Sequence, residues 1–478
     1  MINNKSLAVK DKSLSDLFQE DFIGEILTAG KKSSTDSKQV TEIISKAREL
    51  EGLTPEEVAV LLQVDDDKML EKMLTVAREV KEEIYGKRLV LFAPLYFDNL
   101  CDNNCLYCGF REDNEEVERK KLTQVEIKKE VRALISKGHK RLLVLTGEKV
   151  DEDISYLLEG IKTAYETQTE LGEIRRINVE VAPLSIADFR RLKEADIGTY
   201  TCFQETYHEP TYERLHPSGP KSDYFWRLEV MDRALKAGID DYGLGALFGL
   251  YDYKFEVVSL LLHAKYLEET YGVGPHTISV PRLNSAKGAP LSEPPSPVSD
   301  FKFKKIVAIL RLAVPYTGII LSTREEASLR DQLFQHGISQ ISAGSRTSPG
   351  GYEEARKRNS GEEQFSLHDT RPMAEIIAEL AERDYLPSFC TACYRLGRTG
   401  EDFMDLAKPG QIQKYCQPNA MFTFQEYLED FAGDKLKEQG ENCLDHHLKE
   451  IKEDHPALAD RVENRLNKIS QGERDLYL

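Results

Sequence analysis

The sequence predicts an α/β protein whose main unit is a (β/α)8 barrel. Eight short apolar runs between residues 88 and 343 alternate with amphipathic stretches of helical length. This alternation is typical of parallel strands joined by helices, and about 260 residues is close to the usual size of the barrel. The first run leads into a loop with three cysteines, which would lie at the C-terminal face, where barrel enzymes keep their chemistry.

Three regions follow from this pattern. We expect a helical N-terminal region at 1–86, the barrel at 87–365 and a C-terminal region at 366–478. The predicted barrel strands lie at 88–97, 140–146, 177–184, 197–205, 242–249, 276–283, 318–323 and 338–343. The predicted barrel helices lie at 123–137, 154–167, 185–195, 222–237, 254–271, 300–313 and 325–335.

The N-terminal region has the periodicity of helices. Thr54-Pro55-Glu56-Glu57 is typical of a helix start, with threonine as the cap and proline in the first turn. Apolar residues follow at helical spacing up to Ile84. We therefore assign this region a structural role, packed against the barrel.

Composition narrows the classes of function. A net charge of −18 and a pI near 5.2 argue against nucleic acid as the main partner, because phosphate binding uses clustered lysine and arginine. No apolar run reaches the roughly 18 residues that a membrane span needs, and the first residues lack the apolar core of a signal peptide. We expect a cytoplasmic protein whose eight cysteines stay reduced and ligate cofactors.

The cysteine loop after the first strand predicts an iron–sulfur cluster. Three residues separate Cys101 from Cys105, and two separate Cys105 from Cys108. Three thiolates this close can hold three irons of a cubane and leave the fourth iron open as a binding site. The alternative is a structural zinc site, which normally needs four ligands, commonly in two separated pairs. The spacing therefore favours a [4Fe-4S] cluster with an open iron.

A second cysteine group lies in the C-terminal region, after a predicted helix at 372–384. Two residues separate Cys390 from Cys393, and Cys416 follows after 22 more. This group alone fits zinc, a redox pair or an iron–sulfur site, and the first cluster motif adds weight to the last of these. Cys202 and Cys443 have no partner pattern, so we expect two structural thiols.

The barrel interior is open to two interpretations. Small residues occur on or just after several predicted strands: Ala182, Gly243, Gly245, Ala246, Ser342, Ala343 and Gly344. Facing inward, they would leave room for a substrate cavity in a barrel that is normally filled by side chains. Facing outward, they would only ease the packing of helices on strands, and alternation does not decide this at strand ends.

The first cysteine motif, with Tyr107 before its last cysteine, resembles the radical S-adenosylmethionine (SAM) superfamily. There the open iron chelates the methionine part of SAM, and reductive cleavage gives a 5′-deoxyadenosyl radical. Gly147-Glu148, after the second strand, resembles the Gly-Gly-Glu element that binds the SAM ammonium group, with one glycine missing. An ordinary turn is the alternative. Glu205, which closes the fourth strand, is a further candidate for cofactor contacts.

A narrower resemblance covers nearly the whole chain. Four segments are similar to the HydG family, the tyrosine lyases that mature [FeFe]-hydrogenase: Q-E-T-Y-H (204–208), G-V-G-P-H-T-I-S-V-P-R (272–282), I-S-A-G-S (341–345) and C-T-A-C-Y-R-x-G-R-T-G (390–400). The alternative is the related 2-iminoacetate synthase of the thiamine pathway, which shares the barrel and the tyrosine chemistry but lacks the second cysteine site. A non-catalytic iron–sulfur carrier is a third class, but a carrier needs neither a complete barrel nor an open iron.

The resemblance to HydG implies a reaction in two stages. The adenosyl radical takes a hydrogen from the amino group of L-tyrosine, the Cα–Cβ bond breaks, and p-cresol and dehydroglycine form. Dehydroglycine then yields CO and cyanide, captured on iron for assembly of the hydrogenase H-cluster. The capturing centre is an auxiliary iron–sulfur cluster with a fifth, labile iron. The implied partners include a reducing electron donor such as ferredoxin or flavodoxin and other hydrogenase maturation proteins.

The same resemblance implies ligands for the auxiliary cluster. Cys390, Cys393 and Cys416 would hold it, and His276 with a free cysteine would ligate the labile iron. Without the neighbouring cysteines, a satisfied core histidine would be the better interpretation of His276. His276 starts the sixth strand, so it would lie at the end of the barrel opposite Cys101. We therefore predict a channel through the interior, which bulky side chains between the two sites would exclude.

Two strand-end residues are candidates for substrate contacts. Arg324, after the seventh strand, resembles the arginine that binds the substrate carboxylate in aromatic amino acid lyases. A guanidinium fork suits a carboxylate, although a salt bridge to Glu325 or Glu326 is the alternative. Ser342, on the eighth strand, would assist it.

Overall fold

A closed barrel of eight parallel strands lies at the centre of the computed structural model, which describes residue 9 and residues 12–150, 153–354 and 363–478. The strands are β1 (Arg88–Tyr96), β2 (Arg141–Leu145), β3 (Arg176–Glu180), β4 (Tyr200–Thr201), β5 (Tyr242–Gly245), β6 (Thr277–Ser279), β7 (Gly318–Leu321) and β8 (Gln340–Ser342). They follow one another in chain order, and β8 pairs with β1 to close the ring, with Val90 opposite Gln340. The predicted (β/α)8 barrel is confirmed.

Helices lie between the barrel strands, before the first strand and after the last. They are α1 (Leu14–Leu17), α2 (Glu20–Ser33), α3 (Ser37–Lys46), α4 (Pro55–Leu61), α5 (Asp67–Tyr85), α6 (Gln124–Ile135), α7 (Ser155–Glu166), α8 (Ile186–Glu194), α9 (Glu209–Leu215), α10 (Tyr224–Leu228), α11 (Val230–Lys236), α12 (Tyr253–Tyr271), α13 (Asp300–Ala313), α14 (Ala327–Phe334), α15 (Gly351–Glu354), α16 (Met373–Glu382), α17 (Ala392–Arg395), α18 (Gly400–Ala407), α19 (Gln413–Phe431), α20 (Asp434–Asp454) and α21 (Pro456–Ser470). The predicted helix at 222–237 is two helices, because Glu229 between α10 and α11 has φ −85° and ψ 10°, outside helical geometry.

The helix start predicted at Thr54 is present as a capping box. The backbone N–H of Glu57 donates to Thr54 Oγ1 at 3.3 Å, and the backbone N–H of Thr54 donates to Glu57 Oε2 at 2.9 Å. The next helix, α5, packs against α13 of the barrel and ends at Tyr85, three residues before β1 begins. The N-terminal helices therefore cover the barrel beside the start of its first strand.

A ninth strand, β9 (Leu386–Ser388), lies outside the predicted set. It pairs with the first half of β1, with Arg88 opposite Leu386, whereas the second half of β1 pairs with β2. Cys390 follows β9 by two residues and so lies at the N-terminal end of the barrel. The loop with Cys101 follows the C-terminal end of β1, so β1 separates the two cysteine groups.

The C-terminal helices fold back onto the barrel. The last residue, Leu478, is buried, and its backbone oxygen accepts hydrogen bonds from Arg398 Nη2 at 2.6 Å and from Asn419 Nδ2 at 3.2 Å. The division of the chain at residues 86 and 365 stays a prediction. Among the residues that the structure describes, no helix is both long and apolar enough to cross a membrane.

Candidate active site

The three N-terminal cysteines lie together in the loop that follows β1. Cys105 is buried, and Cys101 and Cys108 are half-buried. Several N–H groups point at their sulfurs: Asn103 Nδ2 lies 3.5 Å from Cys101 Sγ, and the Phe110 backbone N–H donates to Cys108 Sγ at 3.4 Å. N–H donors of this kind stabilise negative charge on sulfur.

The chemistry of this loop fits a metal cluster. Burial raises the pKa of the Cys105 thiol to about 12, and burial with the neighbouring Cys101 raises the pKa of Cys108. Three adjacent thiols become thiolates together only if positive charge compensates them, and iron would supply that charge. The donor set of three sulfurs therefore fits a cubane with one iron left open.

The turn after β2 holds the cysteine loop. A side chain at Gly147 would overlap the carbonyl of Leu100, so only glycine allows the two segments to approach. The Gly147 N–H donates to Asp98 Oδ1 at 2.9 Å, and Glu148 Oε2 accepts from Asn103 Nδ2 at 2.7 Å. Gly147 and Glu148 thus contact the loop of the first cluster motif, and their contact with SAM stays a prediction.

Gly147→Ala is expected to destabilise the fold by about 3 kcal/mol, because its methyl group meets backbone that has no free rotamer to move away. The free energy of unfolding from denaturant titration measures this. Gly24→Ala is the matched control, since a methyl group at Gly24 has no atom within 4 Å. Equal stability of the two variants would contradict the close approach.

A cavity of about 140 Å³ opens at the C-terminal ends of the strands, beside the cysteine loop. Its lining includes the predicted residues Tyr107, Cys108, Glu205, Arg324 and Ser342. Tyr107 points its hydroxyl at His216 Nε2, 2.8 Å away. The structure therefore brings five of the predicted residues to one cavity.

Glu205 carries a negative charge in this cavity. Burial by itself would raise the pKa of its carboxyl, but Lys221 and Arg227 outweigh burial and lower the pKa to about 2. Lys221 Nζ lies 2.6 Å from Glu205 Oε1, and Arg227 Nη2 lies 3.6 Å from the same oxygen. Glu205 also has a positive φ of 69°, a conformation that non-glycine residues rarely adopt.

Arg324 lines the cavity with its positively charged guanidinium group. Its guanidinium carbon lies 3.2 Å from the centre of the Phe365 ring. The alternative salt bridges are not formed in the described part of the chain, because Glu325 pairs with Arg282 and Glu326 lies 3.6 Å from His368 Nδ1. The guanidinium edge is thus free for a ligand carboxylate.

Ser342 is held close to the same cavity by its neighbours. Its Oγ accepts from the Thr323 N–H at 3.2 Å, and its carbonyl accepts from Arg330 Nη2 at 2.6 Å. The hydroxyl hydrogen of Ser342 is therefore available to a ligand.

Several polar residues of this cavity are not among the predicted ones. Burial raises the pKa of Glu180 to about 7, and Tyr96 donates to Gln364 Oε1 at 2.7 Å. Lys221 lines the cavity as well. Glu180 was detectable as a charged residue within an apolar run, whereas Lys221 and Gln364 come from loops without a motif.

The second cysteine group forms a pocket at the opposite end of the barrel. Cys390, Cys393, Cys416 and His276 line a cavity of about 50 Å³. Arg88 Nη2 donates to Cys416 Sγ at 3.3 Å, and the Ala392 N–H lies 3.5 Å from Cys390 Sγ. The structure therefore brings together all four residues expected at an auxiliary site.

His276 is suited to bind a metal. Burial is the main cause that lowers the pKa of its ring, so the imidazole stays neutral at physiological pH. In the described residues its Nδ1 is buried without a hydrogen bond, 3.6 Å from Asp241 Oδ1, and its Nε2 lies 3.3 Å from the Tyr394 hydroxyl. A neutral imidazole that lines one cavity with three thiols, with a carboxylate beside one of its nitrogens, fits a metal ligand.

The two cavities adjoin inside the barrel. On β1, Arg88 and Val90 line the N-terminal cavity, and Phe92, Pro94 and Tyr96 line the C-terminal one. Gln340, on β8, lines both. A channel through the interior stays a prediction, with Gln340 at its narrow part.

The small strand residues divide between the two faces. A methyl group on Gly243 would come within 2.7 Å of Thr201 Oγ1, and Thr201 lines the C-terminal cavity, so Gly243 faces inward. Ala246 and Ala343 are fully buried in the apolar core instead. Both interpretations of the small residues are therefore correct, each for some of them.

The chain matches two family models. Residues 95–261 match the radical SAM superfamily, and residues 279–386 match the biotin and thiamin synthesis associated domain. Among curated proteins, the 2-iminoacetate synthase of Escherichia coli (strain K12) is 33% identical over 360 residues, which cover 75% of this chain and 92% of that protein. The [FeFe] hydrogenase maturase subunit HydE of Thermotoga maritima is 26% identical over 292 residues, covering 59% of this chain and 76% of that protein.

Two solved structures match nearly the whole chain. A crystal structure of HydG, a maturase of the [FeFe]-hydrogenase, has a TM-score of 0.92 and 52% identity, and the match covers 97% of this chain and 100% of that one. The HydG of Carboxydothermus hydrogenoformans has a TM-score of 0.81 and 41% identity, with 95% and 100% covered. The chain therefore belongs to the HydG family of radical SAM proteins.

Proposed function

We propose that this protein is a radical SAM tyrosine lyase of [FeFe]-hydrogenase maturation. It cleaves L-tyrosine to p-cresol and dehydroglycine, and converts dehydroglycine to CO and cyanide on iron. The likeness to HydG at 52% identity over 97% of the chain carries this proposal, because that coverage includes the C-terminal cysteine pocket.

The alternative is a 2-iminoacetate synthase that releases its product without forming CO or cyanide. The Escherichia coli enzyme of that name covers 75% of this chain, against 97% for HydG. The pocket of Cys390, Cys393, Cys416 and His276 favours HydG chemistry, since tyrosine cleavage alone does not need a second metal site.

A [4Fe-4S] cluster and SAM are the cofactors of the radical SAM family, and together they supply a 5′-deoxyadenosyl radical. In our proposal Cys101, Cys105 and Cys108 hold this cluster. Tyr107 lies at the cluster loop, and Gly147 with Glu148 fixes that loop and contacts SAM from the end of β2. Glu205, held at the cavity wall by Lys221 and Arg227, offers a carboxylate oxygen as a hydrogen-bond acceptor to SAM.

Arg324 and Ser342 are proposed to hold the tyrosine substrate. The Arg324 guanidinium, stacked on Phe365, presents paired N–H donors to the tyrosine carboxylate, and the Ser342 hydroxyl adds a hydrogen bond. These contacts would fix the amino group of the substrate toward the side of the cavity that holds Cys108.

Cys390, Cys393 and Cys416 are proposed to hold the auxiliary iron–sulfur cluster, with His276 and a free cysteine on its labile iron. Arg88 and Arg141 line this pocket and stabilise the negative charge of the thiolates. A reducing donor such as ferredoxin or flavodoxin and other hydrogenase maturation proteins complete the proposed partners.

The proposal is tested by incubating the anaerobically reconstituted protein with reductant, SAM and L-tyrosine. We expect p-cresol by chromatography and CO by trapping with deoxyhaemoglobin. p-Cresol without CO would favour the 2-iminoacetate synthase activity instead. The absence of p-cresol would exclude both lyase activities.

Arg324→Gln is expected to raise the KM for tyrosine about 100-fold with a smaller effect on kcat, because a charge-assisted hydrogen bond contributes about 3 kcal/mol to binding. Steady-state p-cresol formation measures both constants. Arg383→Gln, which removes an ion pair with Glu379 on the surface helix α16, is the control. An unchanged KM in Arg324→Gln would remove Arg324 from the substrate site.

A further inference from the structure

A third metal-ligand set lies outside both pockets, at the junction of α16 and α20. Cys443 and His447 are four residues apart on α20, so they share one helix face. Asp384, in the turn after α16, faces them, and the ligand atoms of these three residues all lie within 4.8 Å of one another. Cys443 and His447 are buried, with exposures of 4% and 0%.

Both ring nitrogens of His447 have polar neighbours, and a metal ion on Nε2 would displace the contact on that side. Its Nε2 lies 3.2 Å from the Asp384 carbonyl oxygen and 3.6 Å from Asp384 Oδ1, on the side of the ligand set. Its Nδ1 lies 3.0 Å from Gln417 Nε2 and 3.3 Å from Glu450 Oε2. The second ring N–H of a metal-bound histidine generally donates to a carboxylate or carbonyl oxygen, and Glu450 Oε2 is such an acceptor here.

Asp384 is held in place by charged neighbours. Its φ of 60° is left-handed, and its two carboxylate oxygens accept from His446 Nδ1 at 2.7 Å and from Lys87 Nζ at 2.9 Å. A divalent cation bound to Asp384 Oδ1 would displace the hydrogen bond that this oxygen accepts from His446 Nδ1. One sulfur, one nitrogen and one oxygen, with water in the remaining position, suit the borderline divalent ions Fe²⁺, Co²⁺ and Zn²⁺.

An acidic cleft adjoins this set. A cleft of about 580 Å³ between α5, α19 and α20 is lined by six carboxylates: Glu79, Glu82, Glu83, Glu450, Glu453 and Asp454. Lys87 and Gln417, which contact Asp384 and His447, also line it. Negative charge concentrated in a cleft raises the local concentration of cations.

We propose that Asp384, Cys443 and His447 form a binding site for a divalent transition-metal ion, beside the acidic cleft. The site adjoins the auxiliary pocket, because Gln417 follows Cys416 and Lys87 precedes Arg88, and Arg88 donates to Cys416 Sγ. We take Fe²⁺ as the ion, stored beside the pocket that requires iron. This choice of ion rests on the proposed function, whereas the site itself does not.

The test is a Co²⁺ titration of the protein with both clusters reconstituted, so that the other ligand cysteines are already occupied. We expect a thiolate-to-cobalt charge-transfer band that saturates at one ion per chain. Cys443→Ala should remove the band, and Asp384→Asn, of matched size, should weaken Co²⁺ binding at least about tenfold. Cys202→Ala, which removes another buried thiol, should titrate as the wild type does.

Iron and sulfide contents equal to those of the wild type will show that each variant is folded and loaded. No band in the wild type, or an equal band in Cys443→Ala, would overturn the site. Anaerobic Fe²⁺ should displace the bound Co²⁺ when added in large excess, because Co²⁺ generally binds such a site more tightly than Fe²⁺. No displacement even at that excess would overturn Fe²⁺ as its ion. The titration uses neither SAM nor tyrosine, so its outcome is separate from that of the lyase assay.

Discussion

Cys105→Ala is expected to reduce SAM cleavage to the background without enzyme. Cys105 is the middle and most buried cysteine of the loop after β1, at 5% exposure. Its removal leaves two thiols, which cannot fix three corners of a cubane, so no open iron of defined position remains. Chromatographic detection of 5′-deoxyadenosine after reduction with dithionite measures the loss.

The interpretation of Cys105→Ala depends on the rest of the molecule staying intact. Cys202→Ala is the matched control, since Cys202 is also a buried thiol but belongs to neither cysteine group. In Cys105→Ala the EPR signal of the auxiliary cluster should persist while the SAM-sensitive signal disappears. Cleavage at more than a tenth of the wild-type rate would show that Cys105 is not a ligand.

The barrel was predictable because its signal is repeated. Eight buried parallel strands appear as eight apolar runs, and each helix between them has its own periodicity. β9 was not predictable, because Leu386–Ser388 is three residues long and contains a proline. Only its pairing with β1, about 300 residues earlier, makes it a strand, and no local pattern encodes that pairing.

The candidate site shows the same division between local and distant signals. Cys101, Cys105 and Cys108 are close in the sequence, so their spacing alone predicts a common site. His276 is a candidate only through the family resemblance, because its neighbours Cys390 and Cys416 are more than a hundred residues away.

For Cys443, the sequence predicts a structural thiol but not its potential metal-binding neighbours. It is buried, as expected, but it lies beside His447 and Asp384. The Cys-x3-His spacing on one helix was visible in the sequence. The approach of Asp384 depends on how α16 and α20 pack, and only the structure provides that.

The two cavities lie along the same strand, β1, one toward each end of the barrel. Tyr96 at one end of β1 lines the cavity beside the cysteine loop, and Arg88 at the other end contacts Cys416. Dehydroglycine, the precursor of CO and cyanide in the proposed reaction, would have only the length of the barrel to cross. The proposed reaction therefore divides into two stages whose residues are separate, and variants should separate them.

Cys393→Ser is expected to keep p-cresol formation within about twofold of the wild type but to lose iron-bound CO. Cys393 lies at the N-terminal end of the barrel and lines only the cavity shared with His276 and Cys416. A serine hydroxyl has almost the size of the thiol but is a poor ligand of iron, which prefers thiolate. Chromatography measures p-cresol, and infrared spectroscopy of stopped reactions detects the CO bound to iron.

Two comparisons decide whether the stages are separate. Cys390→Ser, in the same pocket, should reproduce the pattern of Cys393→Ser, whereas Cys105→Ala should lose p-cresol and CO together. If Cys393→Ser lost p-cresol to the same degree as Cys105→Ala, the auxiliary pocket would be needed for tyrosine cleavage itself. The two cavities that meet at Gln340 would then act as one site, and the reaction would not divide into two stages.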